Sequence, residues 1–203
     1  VGAAAYNGTS DSMGLYVSND NGVSNAYTNS VISYSWAYRA LSLPPGEYAY
    51  SFDWRCQGEN EYYDYIRVFL VPAAEDYLTD GSCPGGSTYE FSNWNAPTTW
   101  HDLSGVTSSP YTLNQSSGWQ SRVGTLQLTA GTYNLVFAWA NDGSGGSNPA
   151  AAVDNVSFIR NSCPQVQNLA AAYVGNDTII LEWGVGSEEL EWIVSDGVNE
   201  YTV

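Results

Sequence analysis

The residues of this chain best placed for chemistry lie in "SFDWRCQGENEYYDYIRVFLVP", Ser51 to Pro72, where Asp53, Glu59, Glu61 and Asp64 accompany Arg55, Arg67, Trp54 and Cys56. Two carboxyl groups can hydrolyse a glycosidic bond when they stand about 5–5.5 or 6.5–9.5 Å apart and one has a raised pKa. Alternation along the flanking strands puts Asp53 on a polar face, while Asp64 shares its side with Ile66, Val68 and Leu70, so the two point to opposite faces. The expected arrangement is a hairpin with its acids paired to Arg55 and Arg67 or solvated, and "QGENEYY" as its polar loop. His101–Asp102 holds the single histidine. A Ser-His-Asp triad needs an orienting acid that an adjacent Asp seldom supplies, and no G-x-S-x-G elbow is present. A loop histidine is expected, and the chain is not expected to be an enzyme.

Calcium is a further candidate. Asp154 in "AAAVDNVSF" has the parity of Val156 and Phe158, so its carboxylate is expected to approach the core, where a buried acid must be paired, hydrogen-bonded or metal-bound. Asn19, Asp20 and Asn21 of "VSNDNG" could add oxygens from another loop, of the kind calcium accepts. Sugar binding is the other candidate. Trp94, Trp100, Tyr89 and Tyr111 fall in a long turn-rich section between Pro72 and Gly118, where exposed rings would offer a stacking platform.

These residues must be positioned by strands. Sixteen Tyr and eight Trp fall in alternating runs, which predicts strands at Gly14–Asn19, Ile32–Leu41, Glu47–Cys56, Asp64–Val71, Trp119–Leu128, Thr132–Ala140 and Ala151–Arg160. No stretch shows a convincing amphipathic helix. "LSLPPGEYAYSFDW" (Leu41 to Trp54) and "LQLTAGTYNLVFAW" (Leu126 to Trp139) share Leu, Leu, Gly, Tyr, Phe and Trp at one spacing. They are expected to be two equivalent hairpins, one in each sheet of a sandwich.

At 203 residues the chain has room for one full domain and a small or partial second one. Its net charge is −16, with 21 acids against five basic residues, and all five of those are arginine. Such a surface repels phosphates and acidic lipids, so neither nucleic acid nor membrane insertion is expected, and no window carries the roughly 18 apolar residues of a membrane helix. Cys56, Cys83 and Cys163 are too scattered for a zinc site. A Cys56–Cys83 disulfide is possible in an exported protein, and Cys163 then has no partner within the chain. The opening "VGAAAYNG" has no initiating Met, as in a mature or trimmed product.

Four segments in order, "GLYVSNDNG", "YRALSLPPGEYAYSFDWRCQGENEYYDYIRVFLVP", "GTLQLTAGTYNLVFAWANDG" and "AAAVDNVSFI", resemble the MAM-like or adhesin-type jelly rolls of secreted and surface proteins, notably of Bacteroidetes. Residues 163–203, with "CPQVQNL" and Trp183, resemble the N-terminal part of a fibronectin type III domain, although such sandwiches run to about 100 residues. The resemblance implies an all-β protein, a jelly roll over 1–160 followed by a partial fibronectin type III sandwich over 161–203. It also implies a structural calcium held by a late-strand Asp, for which Asp154 would be the counterpart, and a Cys163 partner late in the second module. The function it implies is an extracellular, secreted or cell-surface adhesion, binding or display module with a glycan or protein ligand. The alternative is an accessory carbohydrate-binding module of a secreted glycoside hydrolase or peptidase.

Overall fold

A computed structural model describes residues 13–75, 83–161, 167–175, 178–184, 192–195 and 198–202. The chain is all-β with antiparallel sheets, and it divides into two compact units, Val1–Ile159 and Arg160–Val203.

In the first unit the strands are β1 (Leu15–Tyr16), β2 (Ser33–Leu43), β3 (Gly46–Cys56), β4 (Tyr65–Pro72), β5 (His101–Asp102), β6 (Ser116–Leu128), β7 (Gly131–Asn141) and β8 (Ala152–Arg160). They form two four-stranded sheets in the orders β1-β8-β3-β6 and β2-β7-β4-β5. The sheets face each other across a core that includes Tyr48, Phe52 and Trp54 of β3, Ile66, Val68 and Leu70 of β4, and Leu135 and Trp139 of β7. Sheet-on-sheet packing of this kind buries the alternate side chains that the period-two pattern singled out.

The two repeated segments are not hairpins. In each, the chain leaves one sheet at the Gly turn and enters the other, so β2 pairs with β7 and β3 with β6. Leu43 stands opposite Gly131 and Gly46 opposite Leu128, so each sheet takes one strand from each copy. Gly46 has φ +148°, a conformation that favours glycine and lets the chain turn between layers directly after Pro44 and Pro45. The same correction applies to "QGENEYY": β3 and β4 belong to different sheets, and the segment joining them is an arch.

A second core covers the outer face of the β2-β7-β4-β5 sheet. It is made by Tyr65, Phe69 and Val71 of β4, Val136 and Ala138 of β7, and Phe91 and Trp100 from the turn-rich section. That section, where no helical periodicity is present in the sequence, contains a short helix, α1 (Thr88–Asn93). Its N-cap is Ser87, whose Oγ accepts from the Glu90 amide at 3.2 Å and donates to Glu90 Oε2 at 2.9 Å. Ser and Glu stand at the spacing of a capping box, here with the Glu90 carboxylate bonded to the Ser87 hydroxyl. Layers on both faces leave β4 buried along almost its whole length.

In the second unit, β9 (Gln167–Gly175) pairs antiparallel with β10 (Thr178–Gly184), and β11 (Ile193–Ser195) with β12 (Glu200–Thr202). Trp183 and Trp192 meet edge to face, with centroids 5.9 Å apart. Cys163 lies outside the described residues. Cys56 and Cys83 are free thiols: the first belongs to the core between the sheets and the second packs against the outer core, so the possible disulfide between them is not formed.

Candidate functional site

Three acidic side chains meet where the arch before β4 approaches the loop after β7. Ligand oxygens of Glu59, Asp64 and Asp142 all stand within 4.8 Å of one another. Antiparallel pairing of β4 with β7 brings Tyr65 opposite Ala140, so the acids just before β4 and just after β7 meet. The Ser147 amide donates to the Gly58 carbonyl at 2.8 Å and stitches the two loops together.

Asp64 is fully buried. Its Oδ2 accepts from the Tyr27 hydroxyl at 2.5 Å and its Oδ1 from the Asp142 amide at 3.3 Å. Glu59 is half-buried, and its Oε2 is buried with no hydrogen-bond partner among the described residues. Burial raises the Asp64 carboxyl above its ordinary value against the opposing hydrogen bond from Tyr27. Burial also raises Glu59, and the charges of Asp142 and Asp64 add to the effect. Like charges this close favour a shared proton or a cation.

Two glycines close over the acids. Gly145 has φ +65° and a Cβ there would press on the Glu59 carboxyl group, while Gly146 has φ +75° and a Cβ there would overlap Asp64 Oδ2 and the Tyr27 hydroxyl. Oxygens bound to one calcium at 2.3–2.6 Å stand at most about 5 Å apart. The spacing of the three acids, the partnerless Oε2 and the glycine cradle therefore fit a hard divalent cation.

This corrects the expectation for "SFDWRCQGENEYYDYIRVFLVP". Glu61 is exposed, but Asp64 is buried and Glu59 is drawn into the cluster rather than solvated. Asp53 is bound separately, accepting from Ser121 Oγ and, at 2.7 Å, from Asn155 Nδ2. Nor do the arginines pair within the arch. Arg55 donates to Asn25 Oδ1 at 3.1 Å and lies over Trp119, and Arg67 pairs with Asp102.

The expected calcium ligands are not brought together. Leu15 pairs with Val153 and Tyr16 with Ala152, so the antiparallel ladder carries Asp154 away from the 19–21 turn. Val153, not Asp154, takes the core position, and Asn155 at φ +49° breaks the alternation, leaving Val156 exposed. Asp20 is occupied by its own turn: it accepts from the hydroxyls of Ser18 and Ser24, both at 2.6 Å, and from the amides of Val23 and Ser24. These bonds, that from Ser18 first, hold its carboxyl well below the usual range. Asn19 bonds Thr28, and Asn21 supplies a left-handed turn position.

Of the four aromatics, Trp100 is only 5 % exposed and belongs to the outer core. Trp94 packs edge to face on it at 5.6 Å, so neither ring is a free platform. Tyr111 lies over the Arg67 guanidinium at 5.3 Å. Tyr89 alone is exposed, at 51 %, beside Tyr62 and Tyr63. His101, expected in a loop, sits in β5 opposite Leu70.

The fold and the site define an acidic, antiparallel β-sandwich with a carboxylate centre at one loop junction. No protein-family model matches the chain, and no curated protein matches it either.

Proposed function

We propose that this chain is a non-catalytic binding or display module of a secreted or cell-surface protein, with calcium held by Glu59, Asp64 and Asp142. The observations that carry the reading are the carboxylate oxygens of Glu59, Asp64 and Asp142 within 4.8 Å of one another and the buried Glu59 Oε2, which has no hydrogen-bond partner among the described residues. A site with three acids from two loops suits the weak affinities of about 10⁻⁴–10⁻³ M typical of extracellular calcium modules. The strand orders β1-β8-β3-β6 and β2-β7-β4-β5 support a jelly roll, the double sheet wound from two Greek keys. Paired short strands around Trp183 and Trp192 support the beginning of a fibronectin type III module in the second unit.

The test is thermal unfolding with calcium and with EDTA at matched ionic strength, since a cation that binds only the folded state raises the midpoint by mass action. A rise of several degrees supports the reading, and equal midpoints remove the cation from it. The second reading, an accessory carbohydrate-binding module of a secreted hydrolase or peptidase, is favoured by a cleft beside Arg67.

A further inference from the structure

That cleft has a volume of about 390 Å³ and is lined in part by Arg67, Asn95, Trp100, Asp102, Thr107 and Tyr111. The size falls within the range of about 300–1,000 Å³ usual for small-ligand sites. Arg67 is 1 % exposed and held on three sides. Its Nη1 donates to the carbonyls of Phe91 at 2.7 Å and Trp94 at 2.9 Å, and its Nη2 donates to Asp102 Oδ2 at 2.5 Å. Its Nε is buried without a hydrogen-bond partner among the described residues. A donor buried to this degree is out of reach of a ligand in the cleft, so the polar groups the cleft offers include those of Asn95, Asp102 and Thr107. Asp102 accepts from the Ser104 amide at 2.9 Å, stays 22 % exposed, and retains lone pairs for a further donor.

The charge balance selects the ligand. Arg67 is neutralised by Asp102, so the cleft offers no net positive charge to an anion, and the −16 charge of the chain repels one. The same pairing leaves a cation no unneutralised carboxylate among the residues that line the cleft. What remains is a neutral molecule with groups that both donate and accept, and with some apolar C–H surface for the small parts of Trp100 and Tyr111 that line the cleft. Vicinal hydroxyls on a sugar ring have those properties.

We propose that the cleft beside Arg67 binds a neutral saccharide, with Asp102 accepting from a sugar hydroxyl and Asn95 and Thr107 bonding at the mouth. The inference rests on the reading of the chain as a binding module. Its test is isothermal titration of the whole chain, in calcium, with a panel of neutral oligosaccharides: cello-, xylo-, manno-, laminari- and N-acetylchito-oligosaccharides, with oligogalacturonate as the acidic control. At least one neutral member is expected to bind and the acidic control not to. Asn95→Ala, at an exposed position, is expected to weaken binding about tenfold, the equivalent of one lost hydrogen bond. Thr107→Trp, also exposed, fills the mouth and is expected to abolish binding, whereas Tyr89→Ala leaves it unchanged. The inference is overturned if no neutral member binds, if binding survives Thr107→Trp, or if only Tyr89→Ala removes it, which would move the ligand to the Tyr62, Tyr63 and Tyr89 surface. A calcium-dependent rise in melting temperature without saccharide binding overturns the cleft and leaves the module reading standing. Binding without a calcium effect removes the cation and keeps the cleft.

Discussion

Tyr27 donates its hydroxyl proton to Asp64 Oδ2 at 2.5 Å while its ring meets Trp139 edge-on at 5.0 Å. One side chain thus ties the carboxylate centre to the core between the sheets. Burial, reinforced by the Asp64 carboxylate, holds the Tyr27 phenol far above its ordinary value, so it remains a donor. Tyr27→Phe leaves a buried carboxylate short of a partner and is expected to cost about 1–3 kcal/mol in urea unfolding. The calcium response should survive that change, since all three acids remain, and disappear in Asp64→Asn or Asp142→Asn. A melting temperature that still rises with calcium in both Asn variants would place the cation elsewhere.

Gly146→Ala should be among the most damaging single-methyl changes in this chain. It combines left-handed backbone at φ +75° with overlap on Asp64 and Tyr27. Gly22 is the control: its φ is +84°, but among the described residues a Cβ would meet only the Tyr16 hydroxyl oxygen, at 3.9 Å. Gly22→Ala is expected to cost about 1–2 kcal/mol, the backbone contribution alone. Gly146→Ala should exceed this clearly and abolish calcium stabilisation, and equal losses in the two variants would show that nothing crowds the acids.

Arg67 joins β4 to the end of α1 and to Asp102 of β5, with its guanidinium near the rings of Phe69, Phe91, Trp94 and Tyr111. Arg67→Met strips the partner from Asp102 and from two carbonyls, and is expected to cost about 3–5 kcal/mol. Adding Asp102→Leu should recover part of the loss, because the stranded charge is then gone. Chemical denaturation of both variants checks this, and a double variant no more stable than Arg67→Met alone would refute it.

His101 is the only histidine, so proton NMR reads its titration without assignment. Burial lowers its pKa below the ordinary imidazole value of 6.5. The folded state therefore binds its proton less readily than the unfolded state does. Stability tied to His101 is fully present above 6.5 and is lost as pH falls from there through the folded-state value. Relative to His101→Gln, the wild type should lose stability across that window, and a histidine titrating at or above 6.5 would contradict the burial.

Burial raises the Cys56 thiol well above its ordinary value and pushes Cys83 up to about 11. Because the thiolate is the reactive form, neither should be alkylated by iodoacetamide at pH 7 in the native chain, and both should react in urea. Peptide mass spectrometry separates the two sites, and rapid native labelling of Cys56 would mean that the core opens.

Alternation of aromatic and polar residues gave the all-β class and the location of seven of the eight strands among the described residues of the first unit, because side-chain direction in a strand is set locally. It also placed Asp64 correctly beside Ile66, Val68 and Leu70. The two-residue β5 was too short to carry a period. The capping-box spacing of α1 was legible in "STYE", but six residues are too few for an amphipathic face. Parity failed at Asp154 because Asn155, left-handed at φ +49°, interrupts the alternation from which it was read.

The sequence alone therefore determined what is local: strands, turns, and the excess of acid over base. Tertiary structure decided what is not. Two copies of one strand–turn–strand pattern could be hairpins or arches, and the choice lies in which strands find each other across the sandwich. Glu59, Asp64 and Asp142 become neighbours only because β4 pairs with β7, and Trp94 and Trp100 become core only because the section that carries them folds over the outer face of a sheet. Pairing and layering are contacts between distant positions, fixed by the burial of whole surfaces rather than by the spacing of residues along the chain.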